Sequence, residues 1–91
     1  MRDVEYSGQF RRDVKRVQKR GKDTSKLRTL LALLIQGSEL PTRYRDHSLS
    51  GPWHGVRDAH IEPDWLLLYS VNDTETRVRF ERTGSHADLF E

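Results

Sequence analysis

Residues 64–71 read DWLLLYSV and form the most apolar of the predicted strands. A strand that is apolar on both faces is typical of the centre of a sheet. Trp53–Ile61 precedes it across a tight Glu62-Pro63 connection, and Glu75–Arg82 follows it after a turn at Asn72-Asp73. Strands joined by such short turns pair in antiparallel fashion. The C-terminal half therefore predicts a three-stranded meander with residues 64–71 in the middle.

The segment before the meander predicts two helices and a loop. Apolar residues recur every three or four positions over Gly8–Arg20, which Gly21 then ends. A second helix begins at a cap among residues 23–25 and ends near Gln36, with a stripe of leucines on one side. Two helices joined by so short a turn form an antiparallel hairpin. Residues 38–52, which contain two prolines and three serines, form a long loop.

Short elements complete the chain at both ends. Residues 2–6 alternate weakly and predict an N-terminal strand, and Ser85–Leu89 predicts a turn or a short helix. The order β-α-α-β-β-β over one domain, 1–91, predicts an α+β fold in which the helical hairpin packs on one face of a small antiparallel sheet. We expect the other face to be open and to carry the functional residues.

The distribution of charge indicates a polyanionic partner. The net charge of the 91 residues is only +2. However, residues 10–28 contain nine Lys/Arg and two Asp, whereas residues 58–91 contain three Lys/Arg and eight Asp/Glu. A dense basic block of this kind is typical of a surface that binds nucleic acid, although a solvated helix face has the same composition.

Other features exclude several classes of protein. The chain has no cysteine, which excludes disulfides, thiolate metal sites and a cysteine nucleophile. The longest apolar run, Leu30–Ile35, is too short to cross a bilayer, and the first ten residues do not resemble a signal peptide. We therefore expect a soluble, cytoplasmic protein without a membrane partner.

Two segments hold the residues that could carry chemistry. HSLSGPWHGVRDAHIEPDW (His47–Trp65) contains three of the four histidines, and FERTGSHADLF (Phe80–Phe90) contains the fourth. RNA cleavage without a metal needs a base, an acid and a cation for the phosphate; histidine suits both proton roles, and arginine suits the phosphate. Aromatic rings can stack on bases. The two segments supply His47, His60, Asp64, Trp65, Arg82, His86 and Phe90.

The residues alone leave alternatives open. His47, His60, His86 and Asp64 are acceptable metal ligands by type, but their spacing matches no compact metal motif. No GxSxG motif for a serine hydrolase is present. Arg82 poses a separate question, because simple alternation places it on the buried side with Phe80. Either a bulge near Glu81 reverses its direction or Arg82 lies beyond the edge of the sheet.

The sequence resembles the YafQ-type mRNA interferases of the RelE/ParE toxin superfamily over essentially its whole length. The resemblance rests on VEYSGQF (Val4–Phe10), on Y-x-D-H-x-L-x-G-x-W (Tyr44–Trp53), on RDAHIEPDWLLLY (Arg57–Tyr69) and on RFERTGSHADLF (Arg79–Phe90). It implies a RelE-like fold and an endoribonuclease that cleaves mRNA in the ribosomal A site. It further implies transesterification by the 2′-hydroxyl, without a metal or another cofactor.

The same resemblance implies roles and partners. It assigns catalysis to His47, His60, Asp64, Arg82 and His86, with His60 and His86 as the acid and base, and the positioning of bases to Trp65 and Phe90. His54 has no assigned role. The first helix would contact ribosomal RNA through Arg11, Arg12, Lys15, Arg16 and Lys19.

The implied partners are the 30S A site with its rRNA, the mRNA, and a DinJ-like antitoxin whose complex with the toxin binds operator DNA. The alternative is a non-catalytic, ParE-like module that acts on gyrase or another protein. Such a module has no need of a histidine, aspartate and arginine cluster.

Overall fold

The apolar strand does lie at the centre of the sheet. In the computed structural model, which describes all residues 1–91, a five-stranded sheet has the order β1-β5-β4-β3-β2. The elements in chain order are β1 (Asp3–Tyr6), α1 (Gly8–Lys19), α2 (Thr24–Gln36), β2 (His47–Ser48), β3 (Arg57–Glu62), β4 (Trp65–Val71), β5 (Arg77–Gly84) and α3 (His86–Phe90). The predicted α+β fold and the antiparallel β3-β4-β5 meander are confirmed.

The pairing of the two edge strands was not predicted from the sequence. β1 pairs in parallel with β5, with Val4 opposite Val78, so that the sheet is mixed rather than wholly antiparallel. A short turn dictates an antiparallel neighbour, but two helices separate β1 from the other strands and leave its direction free. At the opposite edge, the two-residue β2 pairs with β3 and places His47 opposite Asp58.

Local chemistry sets the helix ends. The Ser7 hydroxyl accepts a hydrogen bond from the backbone N–H of Phe10 at 2.8 Å, and Asp23 accepts one from Ser25 N–H at 3.0 Å. Such caps satisfy donors that the first turn of a helix leaves free. Gly37 ends α2 with a φ of 75°, a left-handed conformation that glycine adopts without strain. None of the helices has the length and apolar character that a membrane span requires.

Two predicted strand boundaries were wrong. The strand predicted from Trp53 begins at Arg57, because Gly51–Trp53 forms a turn of 3₁₀ helix instead. The strand predicted from Glu75 begins at Arg77, because Glu75 has a φ of 56° and belongs to the preceding turn. Both differences lie in polar connections, where alternation of residue types carries little information.

The second face of the sheet is partly covered, whereas we expected it to be open. Phe10, Val17 and Leu30 of the helices pack on one face against Trp65, Leu67, Tyr69, Val78 and Phe80. On the other face, Leu66 and Leu68 are fully buried beneath α3 and the loop before β3 (Leu89, Leu49, Trp53 and Val56). A central strand that is apolar on both sides requires this second cover. Much of the rest of this face is at least partly exposed, both at the margin where the histidines lie and at the β1–β5 end, where Glu5 and Arg79 form an ion pair.

Candidate active site

Three histidine rings and one phenylalanine ring form a row along the margin of the second face. The ring centroids of His47 and His60 are 6.0 Å apart, those of His60 and His86 are 6.1 Å apart, and those of His86 and Phe90 are 6.3 Å apart. These residues come from β2, β3 and α3, so the fold brings together two segments that lie apart in the sequence. We call these four side chains the histidine row.

Asp64 orients His86. The His86 Nδ1–H donates to Asp64 Oδ1 at 2.6 Å, and the backbone N–H of His86 donates to the same oxygen at 2.9 Å. These two hydrogen bonds lower the pKa of the Asp64 carboxyl, and the backbone hydrogen bond has the larger effect. Asp64 is therefore a carboxylate at neutral pH and holds the proton of His86 on Nδ1. The Nε2 atom of His86 makes no hydrogen bond within the protein and is available for proton transfer.

His47 is held by the loop that precedes it. Its Nδ1–H donates to the Arg45 carbonyl at 2.8 Å, and its Nε2 lies 3.7 Å from Oδ2 of Asp58. Asp46, the residue before it, accepts hydrogen bonds from Arg57 and from the Tyr69 hydroxyl. The loop is thus tied to two strands of the sheet, which fixes the position of His47.

Asp58 is a residue of the site that the sequence reasoning missed. Asp58 is only 4% exposed, and its Oδ1 has no hydrogen-bond partner. Burial raises the pKa of the Asp58 carboxyl, against the opposing effect of positive charge on His60, His47 and His86. One sequence signal could have found it, because Asp58 and His60 are two positions apart in a strand and therefore share a face.

Arg82 is turned toward the second face by a bulge. Leu68 pairs with Arg82 and Tyr69 pairs with Phe80, so Glu81 is an extra residue that forms a bulge. The bulge was one of the two explanations that the sequence left open for the direction of Arg82. The Arg82 guanidinium donates from Nε and Nη2 to the carboxylate of Asp13 in α1, at 2.8 and 3.1 Å. Its Nη1 makes no hydrogen bond within the protein, and the side chain is partly exposed.

Asp13 is a second residue that the sequence did not identify. It has no exposed surface, and it accepts further hydrogen bonds from Gln9, Arg16 and the backbone N–H of Thr83. Burial raises the pKa of the Asp13 carboxyl, but the hydrogen bonds from Arg82, Gln9 and Thr83 outweigh it, and the pKa is lowered overall. Asp13 is therefore an ionised carboxylate, and it holds the Arg82 guanidinium in place.

The two aromatic residues expected to stack on bases differ in exposure. Trp65 is 1% exposed and its Nε1–H donates to the Thr83 hydroxyl at 3.0 Å, so its ring belongs to the core and cannot contact a base. The expectation for Trp65 does not fit the structure. Phe90 is 42% exposed, at the end of the histidine row and 6.2 Å from the ring of Trp53. Phe90 remains available to a base.

The basic residues of α1 also differ in their exposure and in whether they form ion pairs. Arg16 is half-buried and donates to Asp13 at 2.8 Å, so it is not free to bind RNA as the sequence suggested. Four others are exposed along the helix: Arg11, Arg12, Lys15 and Lys19. His54, which had no assigned role, is exposed and lies outside the histidine row.

One trio of side chains could hold a metal ion. The ligand atoms of His47, Asp58 and His60 all lie within 4.8 Å of one another. This trio includes Asp58 rather than Asp64, the carboxylate that the sequence offered. Two histidines and a carboxylate are a common donor set for transition metals. A metal there would occupy nitrogen atoms that would otherwise be available for proton transfer.

Comparison with known proteins places this geometry in context. Residues 2–91 match a family described as YafQ, a bacterial toxin of type II toxin–antitoxin systems. The mRNA interferase toxin YafQ of Escherichia coli K12 is 57% identical over 90 residues, which cover 98% of this chain and 96% of that protein.

Solved structures give the same picture. The crystal structure of the E. coli DinJ–YafQ complex contains a chain that is 55% identical, with full coverage of both chains and a TM-score of 0.92. A metal-bound toxin from Helicobacter pylori is 34% identical, with 99% and 100% coverage and a TM-score of 0.90.

Proposed function

Because the chain belongs to the YafQ family of type II toxin–antitoxin toxins, we propose that it is an endoribonuclease that cleaves mRNA in the ribosomal A site and so inhibits translation. The observation that carries the proposal is the histidine row, in which Asp64 orients His86 and leaves its Nε2 free. Three imidazoles, a free guanidinium N–H and an exposed aromatic ring are the groups that metal-free RNA cleavage uses.

The chemistry is a transesterification. A base removes the proton of the 2′-hydroxyl, O2′ forms a bond to phosphorus, and the bond from phosphorus to O5′ breaks as an acid protonates O5′. The products are a 2′,3′-cyclic phosphate and a 5′-hydroxyl. We assign the acid and base to His60 and His86, whose ring centroids lie 6.1 Å apart and can flank one phosphate.

The remaining residues support this step. His47 assists proton transfer beside His60, and Asp64 keeps His86 in one tautomer. Arg82, fixed by Asp13, donates its Nη1 to the phosphate, where charge develops in the transition state. Phe90 stacks on a base at the end of the row. No metal or cofactor takes part in the proposed reaction.

The partners follow from the same assignment. The exposed basic residues of α1 (Arg11, Arg12, Lys15 and Lys19) bind rRNA phosphates of the 30S A site. A DinJ-like antitoxin neutralises the toxin, as the E. coli DinJ–YafQ complex suggests, and operator DNA is contacted only through that complex. The site of action is the cytoplasm. The alternative, a ParE-like module that acts on gyrase, would leave the oriented His86 without a role.

A reconstituted translation reaction tests the proposal. We expect cleavage within the A-site codon only when ribosomes are present, with a 2′,3′-cyclic phosphate at the new end. His86→Gln should lower the rate of cleavage by about 100-fold or more, because a general acid or base contributes about that much. A chelator selective for transition metals should have no effect; ribosomes need Mg²⁺, so EDTA is unsuitable.

The matched control is His54→Gln, since His54 is an exposed histidine outside the row. It should cleave like the wild type. Full activity of His86→Gln would remove the catalytic assignment, equal cleavage of free RNA would remove the ribosome dependence, and inhibition by the chelator would favour the metal trio.

A further inference from the structure

A polar groove of about 460 Å³ reaches His60 from the side of α2. Three segments bound it: the first half of α2, the turn before β2 and the β3–β4 hairpin. The lining residues are Ser25, Lys26, Thr29, residues 43–45 and residues 60–63. His60 belongs both to this groove and to the histidine row. A polymer that places a phosphate at His60 can therefore continue into the groove.

The groove carries more positive than negative charge. Lys26, Arg43 and Arg45 line it, and the one carboxylate is Glu62. Glu62 accepts hydrogen bonds from Lys26 and from Lys22, a lysine outside the groove, so its charge is already neutralised. Neither arginine pairs with a carboxylate: Arg43 contacts only Tyr44, and the Arg45 side chain makes no hydrogen bond. Two guanidinium groups are thus free for phosphate oxygens.

Arg45 also connects the groove to the histidine row. Its φ of 48° lies in the left-handed region, which is uncommon for residues other than glycine. In this conformation the Arg45 carbonyl accepts the hydrogen bond from His47 Nδ1 at 2.8 Å. Strained backbone of this kind is concentrated at functional sites. One residue thus orients a histidine of the site and lines the groove beside it.

We propose that this groove binds the nucleotide next to the scissile phosphate, with its phosphate held by Arg43 and Arg45. The inference rests on the proposed function and deepens it, because it assigns substrate contacts to the α2 side of the site rather than to α1. The size of the groove falls within the usual range for small-ligand sites. Its lining is mostly polar or charged, which fits a nucleotide better than an apolar protein segment.

Photo-crosslinking on the ribosome tests the placement. The full-length His86→Gln protein is bound to ribosomes programmed with mRNA that carries 4-thiouridine on either the 5′ or the 3′ side of the scissile phosphate. We expect one of the two labelled positions to cross-link to residues 25–29, 43–45 or 60–63. Comparison of the two mRNAs then tells on which side of the scissile bond the groove lies.

Kinetics provide the second measurement. The double variant Arg43→Gln/Arg45→Asn removes both guanidinium groups, and asparagine readily adopts the left-handed backbone that position 45 needs. KM should rise about tenfold, and kcat should stay within about twofold. The slope of log affinity against log salt should fall by about one, because the two guanidinium groups bind a single phosphate. Arg28→Gln is the matched control, because Arg28 is an exposed arginine of α2 outside the groove.

Cross-links confined to other segments, together with an unchanged KM, would overturn the inference. Binding of an isolated antitoxin to the groove, in the absence of any mRNA cross-link there, would also overturn it and would make the groove an antitoxin site. Failure of the wild-type protein to cleave any mRNA would instead remove the proposed function. Normal cleavage without a cross-link in the groove would remove only this inference.

Discussion

At the scale of single residues, two buried aspartates show how the same side chain can stabilise a fold or strain it. Asp13 accepts hydrogen bonds from three side chains and a backbone N–H, and its pKa is lowered despite burial. Asp58 has one oxygen without a partner, and burial raises its pKa. The charge of Asp13 therefore stabilises the native state, whereas the charge of Asp58 destabilises it. A destabilising carboxylate beside a reactive cluster is typical of a functional site.

Asp58→Asn should therefore raise thermal stability and lower activity. At pH 7 we expect a rise in Tm of about 2–5 °C, because the amide removes a buried charge of nearly the same shape. The pKa of Asp58 is higher in the folded state than in the unfolded state. Its charge therefore lowers the free energy of unfolding only as the pH rises above about 4. The difference in Tm should thus be small near pH 4 and grow toward pH 7. Cleavage should fall about tenfold or more, as for the loss of a proton-transfer partner.

Asp13→Asn is the opposite control. It breaks a buried ion pair and should lower the free energy of unfolding by about 3–5 kcal/mol at neutral pH. Because the pKa of Asp13 is lowered in the folded state, the wild-type advantage is present above pH 4 and is lost as the pH falls through the folded-state pKa. Thermal melts followed by circular dichroism from pH 7 down to about pH 2 measure both variants, so that the range includes the pH at which the Asp13 advantage is lost. A Tm for Asp58→Asn below that of the wild type at every pH would show that the Asp58 charge is stabilising.

At the scale of elements, α3 is too short to be stable alone. A helix of five residues needs tertiary contacts, and this one carries both His86 and Phe90. Ser85 and Asp88 form a capping box at its start, and Asp88 also binds Arg20 of the α1 C-terminal end, with an Nη2–Oδ1 distance of 3.0 Å. The backbone of Gly84 lies against Asp88. These contacts, rather than helix propensity, position half of the histidine row.

Gly84→Ala should displace α3. A Cβ at residue 84 would lie 2.9 Å from the Cβ of Asp88, an atom that cannot rotate away. We expect a loss of about 1–3 kcal/mol of stability from overpacking, and a loss of cleavage activity larger than that destabilisation explains. Gly8→Ala is the control, since a Cβ there meets only the end of Arg12 at 3.6 Å. Chemical denaturation and cleavage assays measure both; unchanged cleavage by Gly84→Ala would show that α3 tolerates the shift.

At the scale of the whole molecule, charge is separated between surfaces. Lys15 and Lys19 of α1 make no ion pair or hydrogen bond, whereas most other cations of the chain are balanced by carboxylates such as Asp88, Glu62 and Asp46. The basic surface of α1 is therefore an open electrostatic contact. Such a contact contributes to affinity through release of counterions rather than to chemistry.

Lys15→Gln/Lys19→Gln should weaken ribosome binding without changing the chemical step. The slope of log affinity against log salt should fall by just under two, if each lysine contacts one phosphate. The rate constant for mRNA cleavage at saturating ribosome concentration should stay the same. Arg77→Gln, at an exposed position of β5, serves as the control. An unchanged salt dependence in the double lysine variant would place the rRNA contact elsewhere.

The sequence predicted the features that depend on local periodicity, but not those that depend on contacts between residues distant in the chain. The central strand and both helices follow from the spacing of apolar residues, and the types of side chain indicate the chemistry that we propose. Trp65 follows Asp64 directly, but the two residues lie in different environments: Asp64 belongs to the exposed turn before β4, whereas Trp65 begins the strand and is buried in the core. The bulge at Glu81 reverses the direction that simple alternation gives Arg82. The roles of Asp13 and Asp58 depend on burial, which neighbours distant in sequence create.

The parallel pairing of β1 with β5 also bears on when the molecule becomes active. Val4 is synthesised almost first and its partner Val78 almost last, and contacts between such distant positions form late in folding. Until β5 has left the ribosome, Phe10 lacks the ring of Phe80, and the site lacks Arg82 and the whole of α3. A chain that lacks β5 and α3 therefore cannot assemble the candidate site. The topology thus couples assembly of the candidate site to completion of the sheet.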